Sequence, residues 1–468
     1  MHRLTLAVCL VALAVRAQGG ASSQPQGAPP VQPPPEEAQR PAPPPPNALT
    51  LERAVQLALE ANYDLRRAEY QAFSSAQDVV ISRSNILPRL DFNASLSNTR
   101  IGGGVFQGTF TDPLTGATIA QVSRDQVFRS YSARIAAQQL LFDGGKWWNT
   151  LAASNLALAS SEANVQEQRL TAIYNVEQRF YELVRQQRQL RVLGDAAHRS
   201  RDQADFTQRL FEGGRVTQAD VYAARANRDN DEINRLGQEA RVELARQDLA
   251  LVIGQDPAQP LAIAEPSAMQ QEPAAPPQAN EAVGKALAKR PSLKALALTA
   301  ESQQKAASAA AGDYWPTLSL AGSFSRDTRD LATFGKPLDQ ASTLTGGIFL
   351  TWNIFAGLST KANVEKARIG VLLAVNDLEN GRRTVVSDVE RAIAQLAVAR
   401  QQARIAAQTE QTSAENLRLA RTRQQVGVGT QLEVRDAELK LTQSELARAN
   451  ALVDGHEAES ALRRATGG

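Results

Sequence analysis

Two glycine-containing turns precede the acidic residues of this sequence that are best placed to do chemistry. The turn at residues 213–215 is followed by Asp220, and the turn at residues 426–428 is followed by Glu433 and Asp436. Acids in the first turn of a helix are favoured by its dipole, by less than about 1 kcal/mol each. At a minimum, these acids stabilise the start of a helix. Any further chemistry requires partner residues that other helices or strands place beside them. The two turns are Gly213, Gly214 and Arg215, and Val426, Gly427 and Val428.

No other group of residues has the composition of a catalytic or metal site. The three histidines, His2, His198 and His456, are far apart in the sequence. We find no nucleophile elbow, phosphate loop or metal-ligand spacing. The glycine run at 102–104 lacks the strand-to-helix context of a phosphate loop. The sequence therefore predicts a protein that is not an enzyme and uses no cofactor and no metal.

The composition is typical of long helices rather than of globular cores. Of 468 residues, 43% are hydrophobic but only 5% are aromatic, and Ala, Gln, Arg, Glu and Leu prevail. The 51 Lys and Arg nearly balance the 49 Asp and Glu. Because there is no basic excess to neutralise phosphates, we expect no nucleic-acid partner.

The N-terminus predicts export from the cytoplasm. Arg3 precedes an apolar run and small residues near Ala17, so residues 1–17 are predicted to be a cleaved signal peptide. The only cysteine, Cys9, lies inside this run, and lipidation of Cys9 is the alternative. Residues 18–48 are rich in proline and are predicted to form a disordered tether.

The rest of the chain repeats itself once. Residues 54–97 align without gaps with residues 282–325 at an offset of 228, and residues 142–249 align with residues 355–462 at an offset of 213. Such a duplication indicates two copies of one structural unit. The predicted units are a first repeat over 49–256, a proline-rich linker over 257–279, and a second repeat over 280–468.

Each repeat predicts the same order of elements: a helix, two strands, a very long helix, a turn and a last helix. Alternation of apolar and polar residues, as in residues 90–97, indicates strands. Proline-free stretches with seven-residue apolar spacing favour paired helices. The predicted leading helices are about 50–86 and 280–313, the later helices are 144–212, 217–253, 358–425 and 431–464, and the strands are about 88–98, 130–142, 316–326 and 343–355.

The four strands favour a membrane location. No segment after the signal has 18 consecutive apolar residues, so a membrane-spanning part would be built from strands. Four strands cannot close a barrel, but three chains would supply 12, an even number within the range of bacterial outer-membrane barrels. The alternative is a small sheet with one face on a core and the other in water.

Five aromatic residues lie where the predicted strands meet the helices. An aromatic girdle at such a level is typical of a membrane interface, so we predict that these residues contact lipid. Ordinary packing between strand and helix is the alternative. They are Phe142, Trp147, Trp148, Trp352 and Phe355.

Taken in order, the motifs resemble those of the TolC-like outer-membrane efflux proteins, from residue 49 to about residue 465. Each motif is short, but the set occurs in the same order in both repeats. The motifs are Asn62-x-Asp64-Leu65 and Arg290-Pro291-Ser292-Leu293, similar to the family's Asn-Pro-x-Leu step; Leu141-Phe142-Asp143-Gly144-Gly145 and Asn353-Ile354-Phe355-Ala356-Gly357, similar to its strand-ending motif; and the two glycine turns.

The resemblance implies a mainly α protein with a β-barrel portion. Three chains would form a homotrimer whose 12-stranded barrel lies in outer-membrane lipid and continues as an α-helical barrel in the periplasm. It also implies a passive exit duct of an efflux or type I secretion system. A periplasmic adaptor (membrane fusion protein) would dock this duct to an inner-membrane transporter. The alternative function is a soluble periplasmic coiled-coil adaptor or structural protein.

The resemblance also implies roles for residues at the turns. Residues 426–428 match the family's adaptor-docking turn, whereas residues 213–215 occupy the same place without flanking apolar residues. Glu433 and Asp436 match two aspartates that form an acidic ring at the family's constriction, whose negative charge would favour cations over anions. Asp220 matches an aspartate of the family's closing latch. The latch partners are Gly429 and Gln424 here, so Arg215, Arg423 or Arg435 would have to replace them.

Overall fold

The computed structural model of the protein describes residues 48–102, 105–111, 113–116, 118–122, 126–337 and 342–468. The predicted signal peptide with Cys9, residues 18–47 of the predicted tether, and Gly103 and Gly104 lie outside the described residues. The helices are α1 (Leu51–Ala61), α2 (Tyr63–Ser84), α3 (Lys146–Glu212), α4 (Gln218–Val252), α5 (Ala279–Lys289), α6 (Pro291–Ala311), α7 (Ser359–Gln425) and α8 (Gln431–Thr466). The strands are β1 (Arg89–Ile101), β2 (Val105–Thr111), β3 (Thr118–Val122), β4 (Gln126–Phe142), β5 (Thr317–Thr328) and β6 (Ser342–Thr351).

Two very long helices dominate the chain. Helices α3 and α7 have 67 residues each and span about 100 Å at 1.5 Å per residue. Each ends at a glycine-containing turn, after which α4 or α8 packs back along it. Helix α8 also packs against α3, so the two hairpins form one continuous helical layer.

The leading helix of each repeat is broken once, which the sequence analysis missed. Asn62 and Arg290 have extended backbone conformations between α1 and α2 and between α5 and α6. The side chain of Asn62 accepts a hydrogen bond from the amide of Leu65 at 2.8 Å and caps α2. Pro291 occupies the first position of α6, where its missing N–H costs nothing. The motif similar to Asn-Pro-x-Leu is therefore a helix break in both repeats.

Four strands form one antiparallel sheet in the order β1-β4-β5-β6. Strands β1 and β4 come from the first repeat and strands β5 and β6 from the second, so the two repeats share the sheet. The register puts apolar side chains on one face and polar side chains on the other, as the alternation predicted. One apolar row crosses the sheet through Phe92, Ile135, Phe324 and Leu344, and the next row, on the other face, crosses it through Asn93, Arg134, Ser325 and Thr343.

The loop regions differ from the sequence prediction in two places. Between β1 and β4 the chain forms a separate two-stranded sheet, β2 and β3, where the sequence predicted only a polar loop. Strand β6 ends at Thr351, four residues before the predicted end at 355. Residues 352–358 instead make an irregular connection to α7.

The largest buried cluster lies midway along the helices, where α1 and the linker between the repeats cross α3. Phe180, Leu183 and Leu249 are fully buried in it. Leu49 forms a parallel bridge with Ile263 of the linker. The linker therefore continues the core of the first repeat around the helical layer. Within the described residues, none of the helices combines the length and the apolar character needed to cross a membrane.

Candidate functional site

The two turns that join the long hairpins share one backbone geometry. Gly214 and Gly427 have φ angles of 70° and 82°, a left-handed conformation that glycine adopts without strain. The amide of the next residue, Arg215 or Val428, donates to a carbonyl in the last turn of the preceding helix, at 2.8 Å or 3.0 Å. The sequence offset of 213 therefore matches the two turns residue by residue.

The side chains of the two turns differ in polarity. Val426 and Val428 are 69% and 65% exposed, and Leu432, in the first turn of α8, is 78% exposed. Large apolar side chains that cluster in water are typical of a contact surface. The sequence analysis missed Leu432 because one isolated leucine at a helix start carries no pattern. The corresponding residues of the first turn are Gly213, Arg215 and Ala219.

The side chain of Asp220 is hydrogen-bonded at the start of α4. Its carboxylate accepts hydrogen bonds from the backbone amide of Thr217 at 2.8 Å and from the Thr217 hydroxyl at 2.7 Å. The hydroxyl in turn caps the amide of Asp220, which completes a capping box. Hydrogen bonds from Thr217 to the ionised form lower the pKa of the Asp220 carboxyl. The contacts of Asp220 are thus those of a helix cap, and they do not support its predicted place in the gate.

Glu433 and Asp436 lie about one helical turn apart on α8 and face solvent. The amide of Glu433 donates to the hydroxyl of Thr430 at 3.2 Å, as the amide of Asp220 does to Thr217, but no capping box is formed at the start of α8. The Glu433 carboxylate lies 3.5 Å from the guanidinium of Arg423, and the carboxylate of Asp436 lies 2.6 Å from the ammonium of Lys440. Within the described residues, no cluster of three or more His, Cys, Asp or Glu is arranged to hold a metal ion.

Arg435, between these two acids, makes a two-point ionic contact with the first hairpin. Its guanidinium binds Asp231 of α4 through two hydrogen bonds, of 2.7 Å and 3.1 Å, and the side chains are only 19% and 11% exposed. Paired, mostly buried charges of this kind fix the register of the elements that carry them. Arg435 was one of three arginines considered for the latch, but its partner Asp231 had no recognisable sequence signal.

A line of polar contacts joins α3 to α8 along most of their shared length. Three of these contacts pair an arginine with a glutamate on the adjacent helix. Burial raises the pKa of two of these glutamates, Glu445 and Glu457. The neighbouring guanidinium groups oppose that rise in each case. The contacts are Glu177 with Arg463, Arg185 with Asp454 and Glu457, Gln189 with Asn450, and Arg199 with Glu445.

The five predicted interface aromatics fall into two groups. Phe142, Trp148, Trp352 and Phe355 are exposed around the junction of sheet and helices. Trp147 is only 8% exposed, and its indole N–H donates to the carbonyl of Ser82 in α2 at 2.8 Å. The predicted lipid contact is therefore wrong for Trp147, which joins α2 to α3. Two further aromatics at this level, missed in the sequence, are Tyr314 and Trp315, both exposed.

These features define a class of protein. One end carries a sheet whose apolar face is exposed, with exposed aromatics at its border, and the other end is a pair of helical hairpins about 100 Å long. This is the architecture of an outer-membrane channel with a periplasmic helical barrel.

Residues 54–255 and 282–468 match the family described as outer membrane efflux protein, and the chain belongs to this family. The matched segments correspond to the two repeats. No functionally curated protein matches the sequence. Because the chain belongs to the outer membrane efflux proteins, it is an outer-membrane exit duct of efflux systems. Membership of this family favours the channel over the alternative of a soluble periplasmic adaptor.

Solved structures similar to this chain include membrane proteins of three bacteria. A membrane protein from Pseudomonas aeruginosa has a TM-score of 0.75 and 22% identity, with 89% of this chain and 90% of that chain covered. The CmeC outer membrane channel of Campylobacter jejuni has a TM-score of 0.73 and 20% identity, with 89% and 85% covered. The open state of the MtrE outer membrane channel of Neisseria gonorrhoeae has a TM-score of 0.72 and 21% identity, with 89% of each chain covered. These proteins share the fold of this chain.

Proposed function

We propose that three copies of this chain form a passive duct, and that a periplasmic adaptor docks its helical end to an inner-membrane transporter. The observation that supports docking most directly is the apolar patch of Val426, Val428 and Leu432 on the second turn. Valine and leucine side chains in water at a turn have no role in the fold of the hairpin, because the buried cluster beneath the turn is built from other residues. A helical adaptor tip with apolar side chains would cover them.

The proposal of three copies rests on the sheet. Strands β1 and β6 are the two edges of the four-stranded sheet, and each leaves one row of backbone groups unpaired. Such edges cannot face lipid. Since neighbouring strands alternate in direction, β6 of one copy runs antiparallel to β1 of the next. Three copies close a barrel of 12 strands, an even number typical of outer-membrane barrels, with the apolar face toward lipid.

We further propose that Glu433 and Asp436 form the acidic constriction of the duct. Both carboxylates are exposed on the single chain and have one cationic neighbour each, so threefold repetition can bring six of them together. Their charge would favour cations over anions in the pore. Asp220 is left out of this gate because Thr217 holds it.

Site-specific crosslinking tests the docking proposal. A photoreactive amino acid at position 428 should capture a periplasmic adaptor in cells, because Val428 lies within the apolar patch. A matched probe at position 256, which is exposed at the other end of α4, should capture none. Val428→Asp should abolish most efflux while the channel remains in the outer membrane. Equal capture at positions 428 and 256, or full efflux by Val428→Asp, would overturn docking through this turn.

A further inference from the structure

The apolar face of the four-stranded sheet, which includes Phe92 and Leu344, carries charge at one end only. Among the paired residues of β1, β4, β5 and β6, this face has three arginines and no acid. All three lie at the end of the sheet remote from the helices. The opposite face carries both signs of charge, since it holds Asp91, Arg134 and Asp327. The three arginines of the apolar face are Arg100, Arg129 and Arg326.

Arg100 and Arg129 are neighbours on this face. The register pairs Arg129 with Asn98 and Arg100 with Val127, so the two arginines lie diagonally across β1 and β4. Diagonal neighbours on one face of an antiparallel pair are about 7–8 Å apart, which is within reach of long side chains. Both arginines are exposed. Their two guanidinium groups can therefore reach the same anion.

Arg326 holds a loop against the same face. It is only 5% exposed, and its guanidinium donates to the carbonyls of Lys336 at 2.8 Å and Pro337 at 3.2 Å. The connection between β5 and β6 is thus drawn over the apolar face, and it brings the exposed Lys336 to this end of the sheet. Asp330, an acid of the same connection, accepts a hydrogen bond from the amide of Ala332 at 3.1 Å. The loop therefore adds a base to the end of the sheet that holds the arginines.

The exposed arginines lie at the level of the outer head groups. Phe142, at the aromatic border near the helices, and Arg129 are 13 residues apart in β4. At about 3.4 Å per residue and a strand tilt of about 40°, this distance is about 34 Å along the membrane normal. The outward apolar band of such barrels is about 25 Å tall, so Arg129 lies beyond it. Tyr131 is the next residue of this face toward the helices, and its position is typical of an outer aromatic girdle.

We propose that Arg100 and Arg129 bind a phosphate group of lipopolysaccharide in the outer leaflet. Charge complementarity favours this occupant, because the lipid A part of lipopolysaccharide carries phosphate monoesters at the level of the head groups. Guanidinium groups bind phosphate through paired, charge-assisted hydrogen bonds. The apolar rows between the arginines and the helices would contact the acyl chains of the same lipid. This inference rests on the proposed closed barrel, which turns the apolar face to lipid.

Native mass spectrometry of the purified channel, titrated with diphosphorylated lipid A in mild detergent, tests the site. Arg129→Gln should weaken lipid A binding several-fold, and Arg100→Gln with Arg129→Gln should weaken it by about tenfold or more, because charge-assisted hydrogen bonds to the phosphate are lost. Arg134→Gln is the matched control. Arg134 is an exposed arginine of the same strand on the opposite face, so this variant should bind lipid A as the parent does.

Two further lipids separate the phosphate from the rest of the ligand. Lipid A without phosphates should bind equally to the parent and to the double variant, since only acyl chains and sugar remain. Phosphatidylglycerol should bind the parent more weakly than diphosphorylated lipid A does, because its single phosphate is a diester. The parent itself gives a measurement that needs no substitution. Its binding of diphosphorylated lipid A should weaken when NaCl is raised from about 0.1 M to about 1 M, because salt screens exposed charges.

The failure of this inference can be told from the failure of the barrel. Equal binding of diphosphorylated lipid A by the Arg129→Gln and Arg134→Gln variants, or binding by the parent that does not respond to salt, would overturn the site and leave the barrel standing. Equally tight binding of phosphatidylglycerol and diphosphorylated lipid A would overturn the assignment to lipopolysaccharide. Release of the protein from membranes by carbonate, without detergent, would overturn both the barrel and the lipid site.

Discussion

The carboxylates of Glu433 and Asp436 are exposed and each lies beside one cationic side chain. The carboxylate of Asp220, in contrast, forms part of a helix cap. Replacing both acids by Glu433→Gln and Asp436→Asn should therefore reduce the cation preference of the channel and its block by divalent ions, because the charge of the constriction is removed. The measurement is the reversal potential of purified channels in planar bilayers under a salt gradient. An unchanged reversal potential would refute the acidic constriction.

Asp220→Asn serves as the control for that experiment. An amide caps Thr217 less well than a carboxylate, so the start of α4 should be slightly less stable. The reversal potential should stay that of the parent channel. A large shift in selectivity with Asp220→Asn would place this residue in the pore after all.

Leu358 carries a local strain that the first repeat avoids. Its φ is 69°, a left-handed conformation that costs a non-glycine residue about 1 kcal/mol or more, and its equivalent in the first repeat is Gly145 with φ of 80°. Leu358→Gly should therefore raise the stability of the protein by up to about 1 kcal/mol. Gly145→Ala should lower the stability. A Cβ atom at this position would meet no close neighbour, but alanine adopts the left-handed backbone conformation only with strain. Thermal unfolding in detergent measures both, and shifts of the same sign would contradict the argument.

At the scale of elements, the contact between α3 and α8 depends on carboxylates that are partly removed from water. Burial raises the pKa of Glu457 above its ordinary value of 4.5, against the opposing effect of Arg185. The contribution of such a group to stability is fully present below pH 4.5 and is lost as the pH rises through the raised pKa. The helical layer should therefore lose stability through Glu457 between mildly acidic and neutral pH.

Glu457→Gln should reduce that loss, because the amide carries no charge to desolvate and Arg185 keeps Asp454 as a partner at 2.6 Å. The measurement is the difference in unfolding temperature between about pH 5 and pH 7.5, the range above the ordinary glutamate pKa. Glu272→Gln is the control. Hydrogen bonds from Arg400 and Arg404 lower the pKa of Glu272, so its contribution is lost only as the pH falls toward that lowered pKa. An identical pH dependence of Glu457→Gln and the parent protein would contradict the assignment.

At the scale of the whole molecule, the features predicted from the sequence are those with a period or a repeat. Alternation in residues 90–97 predicted the sheet and its two faces, and the offset of 213 predicted that Gly214 and Gly427 occupy equivalent turns. Features set by contacts between distant residues were not predictable. The position of Trp147 beside a predicted strand is typical of a lipid-facing aromatic residue. In the structure its side chain is buried and donates a hydrogen bond to the carbonyl of Ser82. The ion pair of Arg435 with Asp231 joins residues 204 apart, with nothing in either local sequence to show it.

That ion pair has a consequence for the whole duct, because it ties the first hairpin to the second near the helical end. Removing one partner leaves a mostly buried charge unpaired, which should cost about 2 kcal/mol after allowance for partial exposure. Asp231→Ala and Arg435→Ala should therefore each loosen α8 from α4 and raise single-channel conductance in planar bilayers. Drugs too large for the parent channel should also enter cells more readily.

The exchange Asp231→Arg with Arg435→Asp separates the effect of the pair from that of each residue. If the pair itself holds the hairpins together, the exchanged channel should return to the conductance of the parent, although each single exchange raises it. Glu415→Gln offers a matched control, since Glu415 pairs with Arg418 on its own helix and cannot hold two hairpins together. Conductance that is unchanged by the single substitutions at Asp231 and Arg435 would show that this ion pair does not hold the two hairpins together.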